Sequence, residues 1–236
     1  MANNPSYVCP RCLGTARPID GRPVTNIVVN GSELDAENKF CYLGDMLSSG
    51  GGCNQAIKAP CSVAWGKFRK LLPILTSKHI PLTVREKVFS ACVRSAMLHG
   101  GETWAPNVLD LQLLQRNDRA MVRWICRVKL IDHVHTDQLL IKLGVINIIE
   151  CLRLHRLRWY GHVVRSTAMI NQITTLAVPG TRGRGRPRKT WTECVVYDLN
   201  TYNLNDVNPH DRETWRKRIK DSLVLPTPDP GTTAAP

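Results

Sequence analysis

Two thiols spaced as a metal-ligand pair, Cys9-Pro-Arg-Cys12, stand near the start of the chain, and a later thiol, Cys151, precedes His155 by four residues. A structural zinc takes four Cys or His ligands, typically as two spaced pairs. Cys9 and Cys12 have no second pair, because His79 and Cys41 are not spaced as one. Cys151 and His155 could share one helical face, but Arg158 falls on the same stripe, repels a cation, and no third ligand is evident. No metal or other cofactor is expected, and Cys9 and Cys12 are the one weak candidate pair, expected to be the remnant of a truncated zinc site. The remaining cysteines are scattered without paired spacing, which fits a reducing compartment and predicts mostly buried thiols.

Charge offers the stronger chemistry. Lys and Arg total 32 against 19 acids, a net +13, which favours a polyanionic partner through long-range attraction and counterion release. The stretch from Cys151 to Trp191 contains no Asp or Glu but carries Arg153, Arg156, Arg158, Arg165, Arg182, Arg184, Arg186, Arg188 and Lys189. In Arg182-Gly-Arg-Gly-Arg-Pro-Arg-Lys189, Gly183 and Gly185 let the backbone lie deep in a narrow groove. Arg184 and Arg186 can then extend toward adenine N3 and thymine O2, and Pro187 directs the chain outward. The segment resembles an AT-hook core. A flexible basic linker or a nuclear localisation signal would use the same residues without reading bases. An anionic membrane is not expected as partner, since no apolar run approaches the roughly 20 residues of a spanning helix and residues 1–20 lack a signal-peptide core. The chain is expected to be intracellular, nuclear or cytoplasmic, with RNA or DNA as partner.

These residues need elements to hold them. Along 150–165, Leu154, Leu157, Gly161 and Val164 make an apolar stripe, while His155, Arg158, His162 and Arg165 make a cationic one rotated by about 100°. Arginine hydrogen bonds to phosphate, with histidine protonation adding charge in mild acid, make the second stripe a candidate phosphate face. Upstream, Val24–Val29 and Phe40–Leu47 predict one small β-hairpin. Ile57, Val63, Trp65, Phe68, Leu72 and Leu75 then predict a helix that Pro73 kinks or ends. Thr83-Val-Arg-Glu86 has capping-box spacing, and Val84, Val88, Cys92 and Ala96 suggest a buried stripe after it. Helical patterns continue over 109–127 and 136–143. Thr190-Trp-Thr-Glu193 repeats the capping-box spacing, and Asn208-Pro209 offers a further helix start. The six tryptophans, Trp65, Trp104, Trp124, Trp159, Trp191 and Trp215, recur through helical segments and read mainly as core.

Phe40-Cys-Tyr-Leu-Gly44 resembles the F-x-Y-L-G segment of non-LTR (LINE-type) retrotransposon endonuclease/reverse transcriptases, which forms the primer-grip hairpin after the catalytic palm. Further segments resemble that family in the same order: Gly44-Asp-Met-Leu-Ser48, Ala64-Trp-Gly-Lys-Phe-Arg69, Val93-Arg-Ser-Ala-Met-Leu-His-Gly-Gly-Glu-Thr-Trp104 and Met121-Val-Arg-Trp-Ile-Cys126. Leu154-His-Arg-Leu-Arg-Trp-Tyr-Gly-His-Val163 and Gly183-Arg-Gly-Arg-Pro-Arg-Lys-Thr-Trp191 complete the series. The resemblance implies that Tyr42 and Gly44 approach the primer strand and that the following helices form a thumb. It also implies that the Mg²⁺-binding carboxylates belong to a palm upstream. Two-metal chemistry needs such carboxylates, and the chain has no Asp-Asp pair, so no catalytic residue and no polymerase activity of its own are expected.

The expected fold is mainly α. Residues 1–23 form a junction with the CxxC remnant, 24–53 a primer-grip-like hairpin, and 54–135 a thumb-like helical bundle. Residues 136–225 form a smaller basic helical domain with an Arg/Gly/Pro loop at 178–189, and 226–236 a disordered tail. The expected nucleic-acid contacts are Tyr42, Gly44, His155, Arg158, His162, Arg165, Arg182, Arg184, Arg186, Arg188 and Lys189. The expected function is template, primer or target-DNA binding in retrotransposition, with the rest of the polymerase as a further partner. The alternatives are a stand-alone AT-hook-like DNA-binding protein and a non-functional retrotransposon remnant.

Overall fold

The computed structural model describes residues 27–29, 32–34, 39–42, 45–48, 52–166, 170, 174 and 189–222. The chain is mainly helical, with small antiparallel hairpins ahead of the helices. Cys9, Cys12, Gly44, Arg182, Arg184, Arg186, Arg188 and the tail at 226–236 lie outside the described residues.

Two hairpins form where one was expected. Strand β1 (Ile27–Val29) pairs with β2 (Ser32–Leu34), and β3 (Lys39–Tyr42) pairs with β4 (Asp45–Ser48). Phe40–Leu47 is therefore not one strand, because Phe40 and Leu47 stand opposite each other. Val29 stands opposite Ser32 and Tyr42 opposite Asp45, so two sequence positions separate the strands of each pair. Strand β4 packs against the first helix.

Helix α1 (Asn54–Leu75) runs through Pro73 and ends only at Thr76, whose hydroxyl donates to the Leu72 carbonyl at 2.8 Å. Its buried stripe is Ile57, Cys61, Ala64, Phe68 and Leu75. Val63, expected inside, is exposed, since it lies about 100° around the helix from Ala64. Helix α2 (Leu82–Val88) starts one residue before the expected Thr83 cap, with no side-chain cap bond. Glu86 instead accepts from the Ser90 hydroxyl at 2.9 Å. A π-helical stretch, Phe89–Arg94, then leads into α3 (Ser95–Met97). The expected stripe Val84, Val88, Cys92 and Ala96 is displaced by one position, and Phe89, Val93 and Met97 are buried instead.

That displacement also turns Arg94 inward. Its guanidinium makes a bidentate pair with Asp118, Nε to Oδ1 at 2.9 Å and Nη2 to Oδ2 at 2.7 Å, and donates to the Ile146 carbonyl at 2.6 Å. Planar fork geometry is what arginine offers a buried carboxylate. Asp118 comes from α4 (Val108–Cys126), which opens with a reciprocal capping box between Asn107 and Asp110. Leu114, Met121, Val122 and Ile125 of α4 enter the core as expected.

Helix α5 (Thr136–Leu143) ends at Gly144, whose φ of 77° is left-handed, and α6 (Ile148–Arg165) follows behind an Asn147 cap. Packing crosses the boundary placed at His135. Leu139, Leu140, Leu143, Ile148 and Leu152 belong to the core built by α1, the π-helical stretch and α4. A second core begins further along α6, where Leu154 and Leu157 meet Leu204, Trp215 and Ile219. Its other walls are α7 (Trp191–Thr201) and α8 (Arg212–Asp221). Thr190 and Glu193 form the expected capping box, whereas α8 is capped by Asp211 and not by Asn208. Trp104 and Trp215 are buried, but Trp124 is 58% exposed and so is not core. Among the described cysteines only Cys61 and Cys194 are fully buried, and Cys41 and Cys92 are exposed. No described helix is long and apolar enough to cross a membrane.

Candidate nucleic-acid interface

Helix α6 positions the cationic stripe because its opposite side is committed to both cores. Leu152, Leu154, Leu157, Gly161 and Val163 are buried, and Val164, expected among them, is half-buried. The stripe His155, Arg158, His162 and Arg165 is uneven. Arg158 and His162 are exposed, while His155 and Arg165 are half-buried. Burial holds the His155 imidazole below its ordinary value, with nearby Glu102 opposing the shift and Arg158 adding to it. The expectation that His155 gains charge in mild acid is therefore corrected. Desolvation favours its neutral form.

Two members of the acid-free stretch are not available to a ligand. Arg156 is buried and pairs with Asp198 of α7, Nη1 to Oδ2 at 2.9 Å. Arg153 lies between Glu150 at 3.0 Å and Asp198 at 3.7 Å. Sequence distance concealed Asp198, which lies beyond the acid-free stretch, whereas Glu150 stands three residues before Arg153. Lys189 is exposed, with Nζ 5.0 Å from the centre of the Tyr197 ring, which Arg153 also approaches at 5.2 Å.

At its C-terminal end the α6 stripe meets charges that the sequence reading passed over. Arg212 and Arg216 of α8 lie near enough to Arg165 to disfavour its charge, after the larger effect of desolvation. Arg165 is held in that company by donating Nη1 to the Pro209 carbonyl at 2.5 Å. Arg212, Arg216, Lys217, Arg218 and Lys220 are all exposed on α8, against the acids Glu213 and Asp221. The missed signal was simple: the Arg212–Lys220 segment holds five cations. Among the described residues, Arg158, Arg165, Arg212 and Arg216 have no carboxylate partner in an ion pair. Unpaired guanidiniums held side by side repel each other and are relieved by a multivalent anion.

The aromatic neighbours are partly structural. The Trp159 ring lies 5.1 Å from that of His162, tilted by 38°, while Tyr160 lies 6.0 Å from Trp215 and 6.4 Å from Trp191. Trp191 donates its indole N–H to the Glu102 carbonyl at 2.8 Å and so ties α7 to the first core. Tyr42 occupies the end of β3 opposite Asp45, in the hairpin whose β4 packs on α1. It therefore belongs to a different part of the molecule from the α6 stripe.

Comparison of the chain with family models, with characterised proteins and with solved structures finds no match in any of the three.

Among the described residues the buried carboxylates are engaged within the protein. Asp118 and Asp198 face arginines, and Asp110 serves the α4 cap and accepts from Asn54 at 3.2 Å. Among the described residues no cluster of three or more His, Cys, Asp or Glu is arranged to hold a metal ion. The surface built by α6 and α8 suits phosphate recognition.

Proposed function

We propose that this chain binds nucleic acid through the α6/α8 surface and serves as the non-polymerising, post-palm part of a LINE-type reverse transcriptase. The observation that carries the binding reading is Arg165 held beside Arg212 and Arg216 without a carboxylate partner. Such a surface contacts phosphates, which position a strand but do not read its sequence. The ordered series of motifs from Phe40 to Trp191 supports the family reading. The Arg/Gly/Pro segment at 182–189 precedes α7 in the sequence, and its five cations add to the charge available to a polyanion.

The deciding experiment measures binding of the full chain to RNA, primer–template hybrid and AT-rich or GC-rich duplex, alongside an Arg212→Ala/Arg216→Ala variant. Binding to RNA or hybrid that weakens in the variant supports the reading. Failure to bind any nucleic acid at low salt overturns it. Selective binding to AT-rich duplex would favour a stand-alone AT-hook-like protein, and robust primer extension with Mg²⁺ would overturn the non-polymerising assignment.

A further inference from the structure

A second cationic place lies between α1 and α4. Helix α1 contains Lys58, Lys67, Arg69 and Lys70 and no acid at all. The two acids of α4, Asp110 and Asp118, are each only 2% exposed and are used internally. Solvent therefore meets only cations among the charged side chains of these two helices, with Arg116 and Arg119 added from α4.

A cleft of about 330 Å³ opens between them. That is the lower end of the range for pockets that take small ligands, and it is too small for a duplex. Lys58, Ser62, Trp65 and Arg69 line it from α1, at intervals of four, three and four residues. They form one face about 16 Å long with a cation at each end and an indole between. From α4, Leu113 and Asn117 line the other wall.

Trp65 is fixed rather than free. Its indole N–H donates to Asn117 Oδ1 at 2.8 Å, and the Asn117 amide donates in turn to the Leu113 carbonyl at 2.8 Å. The Phe68 ring meets it edge-on at 5.5 Å. A pre-ordered aromatic loses little entropy when a ligand stacks on it. Burial pushes the Cys61 thiol, which also lines the cleft, up to about 11, so no thiolate opposes an anion there.

We propose that the α1–α4 cleft holds one unstacked nucleotide of a single-stranded nucleic acid, with its base on Trp65 and its flanking phosphates on Lys58 and Arg69. Base–aromatic stacking tolerates any base, so recognition here is of strand form and not of sequence. The inference extends the nucleic-acid reading to a second place, yet stands on the cleft's own geometry.

The test uses the full chain and a short fluorescein-labelled oligothymidylate, with labelled duplex as the second probe. Ser62→Glu puts a carboxylate into the cleft from an exposed position, so the fold is retained and a thermal melt can verify this. It is expected to weaken single-strand binding about tenfold or more while leaving duplex binding nearly unchanged. Lys58→Ala/Arg69→Ala should act in the same direction. Arg212→Ala/Arg216→Ala should weaken duplex binding in a chain whose cleft is intact. Unchanged oligothymidylate affinity in Ser62→Glu overturns the cleft even if the α8 variant loses binding, which leaves the α6/α8 reading in place. Equal losses on both probes in the cleft variants would also overturn it, because they would indicate a general charge effect.

Discussion

Gly161 of α6 lies directly beneath the indole of Trp215 in α8: a Cβ built on the glycine would stand 2.7 Å from Trp215 Cδ1. The Trp215 indole N–H donates to the carbonyl of Leu157, one turn earlier in α6, at 3.2 Å. The absence of a side chain at 161 thus lets α8 bring its arginines against the end of α6. Gly161→Ala should destabilise the protein by about 1–3 kcal/mol, because a fully buried indole has nowhere to retreat. A melt shows the loss directly. In a Trp215→Ala background, where the near ring atoms are gone, Gly161→Ala should cost much less; a Gly161→Ala variant as stable as the parent would contradict this contact.

Arg156 and Asp198 are both almost fully buried, and Asp198 is the counter-charge of Arg156, with Arg153 adding a second cation at 3.7 Å from the carboxylate. Burial holds the Asp198 carboxyl above its ordinary value, and the arginines beside it oppose that shift. Asp198→Asn should cost about 3–5 kcal/mol by stranding a buried guanidinium. The double replacement Arg156→Met/Asp198→Leu should recover most of that loss. Chemical denaturation of the parent, Arg156→Met, Asp198→Leu and the double variant measures the coupling, and simple additivity would rule it out.

His155 makes stability depend on acid. Because burial holds its folded-state value below the unfolded one of about 6.5, the unfolded chain binds the proton more readily. Its contribution is fully present above the unfolded value and is lost as pH falls through the folded one. Melting temperature should therefore drop on acidification below about 6.5, and His155→Gln should drop less over that window. Identical pH profiles for the two proteins would remove His155 as the cause.

Salt should weaken binding steeply if Arg165, Arg212 and Arg216 contact phosphates. Each contact removed should lower the slope of log affinity against log salt by about one. Arg212→Ala/Arg216→Ala should accordingly bind more weakly at low salt and respond less to added salt. A slope identical to that of the parent would place the contacts elsewhere.

Where the sequence was a sufficient guide, the relevant physics was local. The Thr190–Glu193 capping box formed as its spacing foretold, and α5 occupies Thr136–Leu143 as expected, because caps and apolar intervals act within a turn or two. The same spacing at Thr83–Glu86 did not become a cap, since the helix begins at Leu82 and Glu86 found Ser90 instead. The basic balance of the chain was likewise plain from residue counts, and it pointed to a polyanion. Which cations remain free was not plain. Arg94, Arg153 and Arg156 look like Arg158 and Arg165 in the sequence, yet the first three face Asp118, Glu150 or Asp198. Arg165 gained Arg212 and Arg216 as neighbours only because Trp215 packs on Gly161. Coulomb interactions depend on separation in space, and contacts spanning 24 residues for Arg94–Asp118 or 42 for Arg156–Asp198 exist only once the helices pack. Composition therefore determined that this protein carries excess positive charge, and tertiary packing alone decided where that charge reaches solvent.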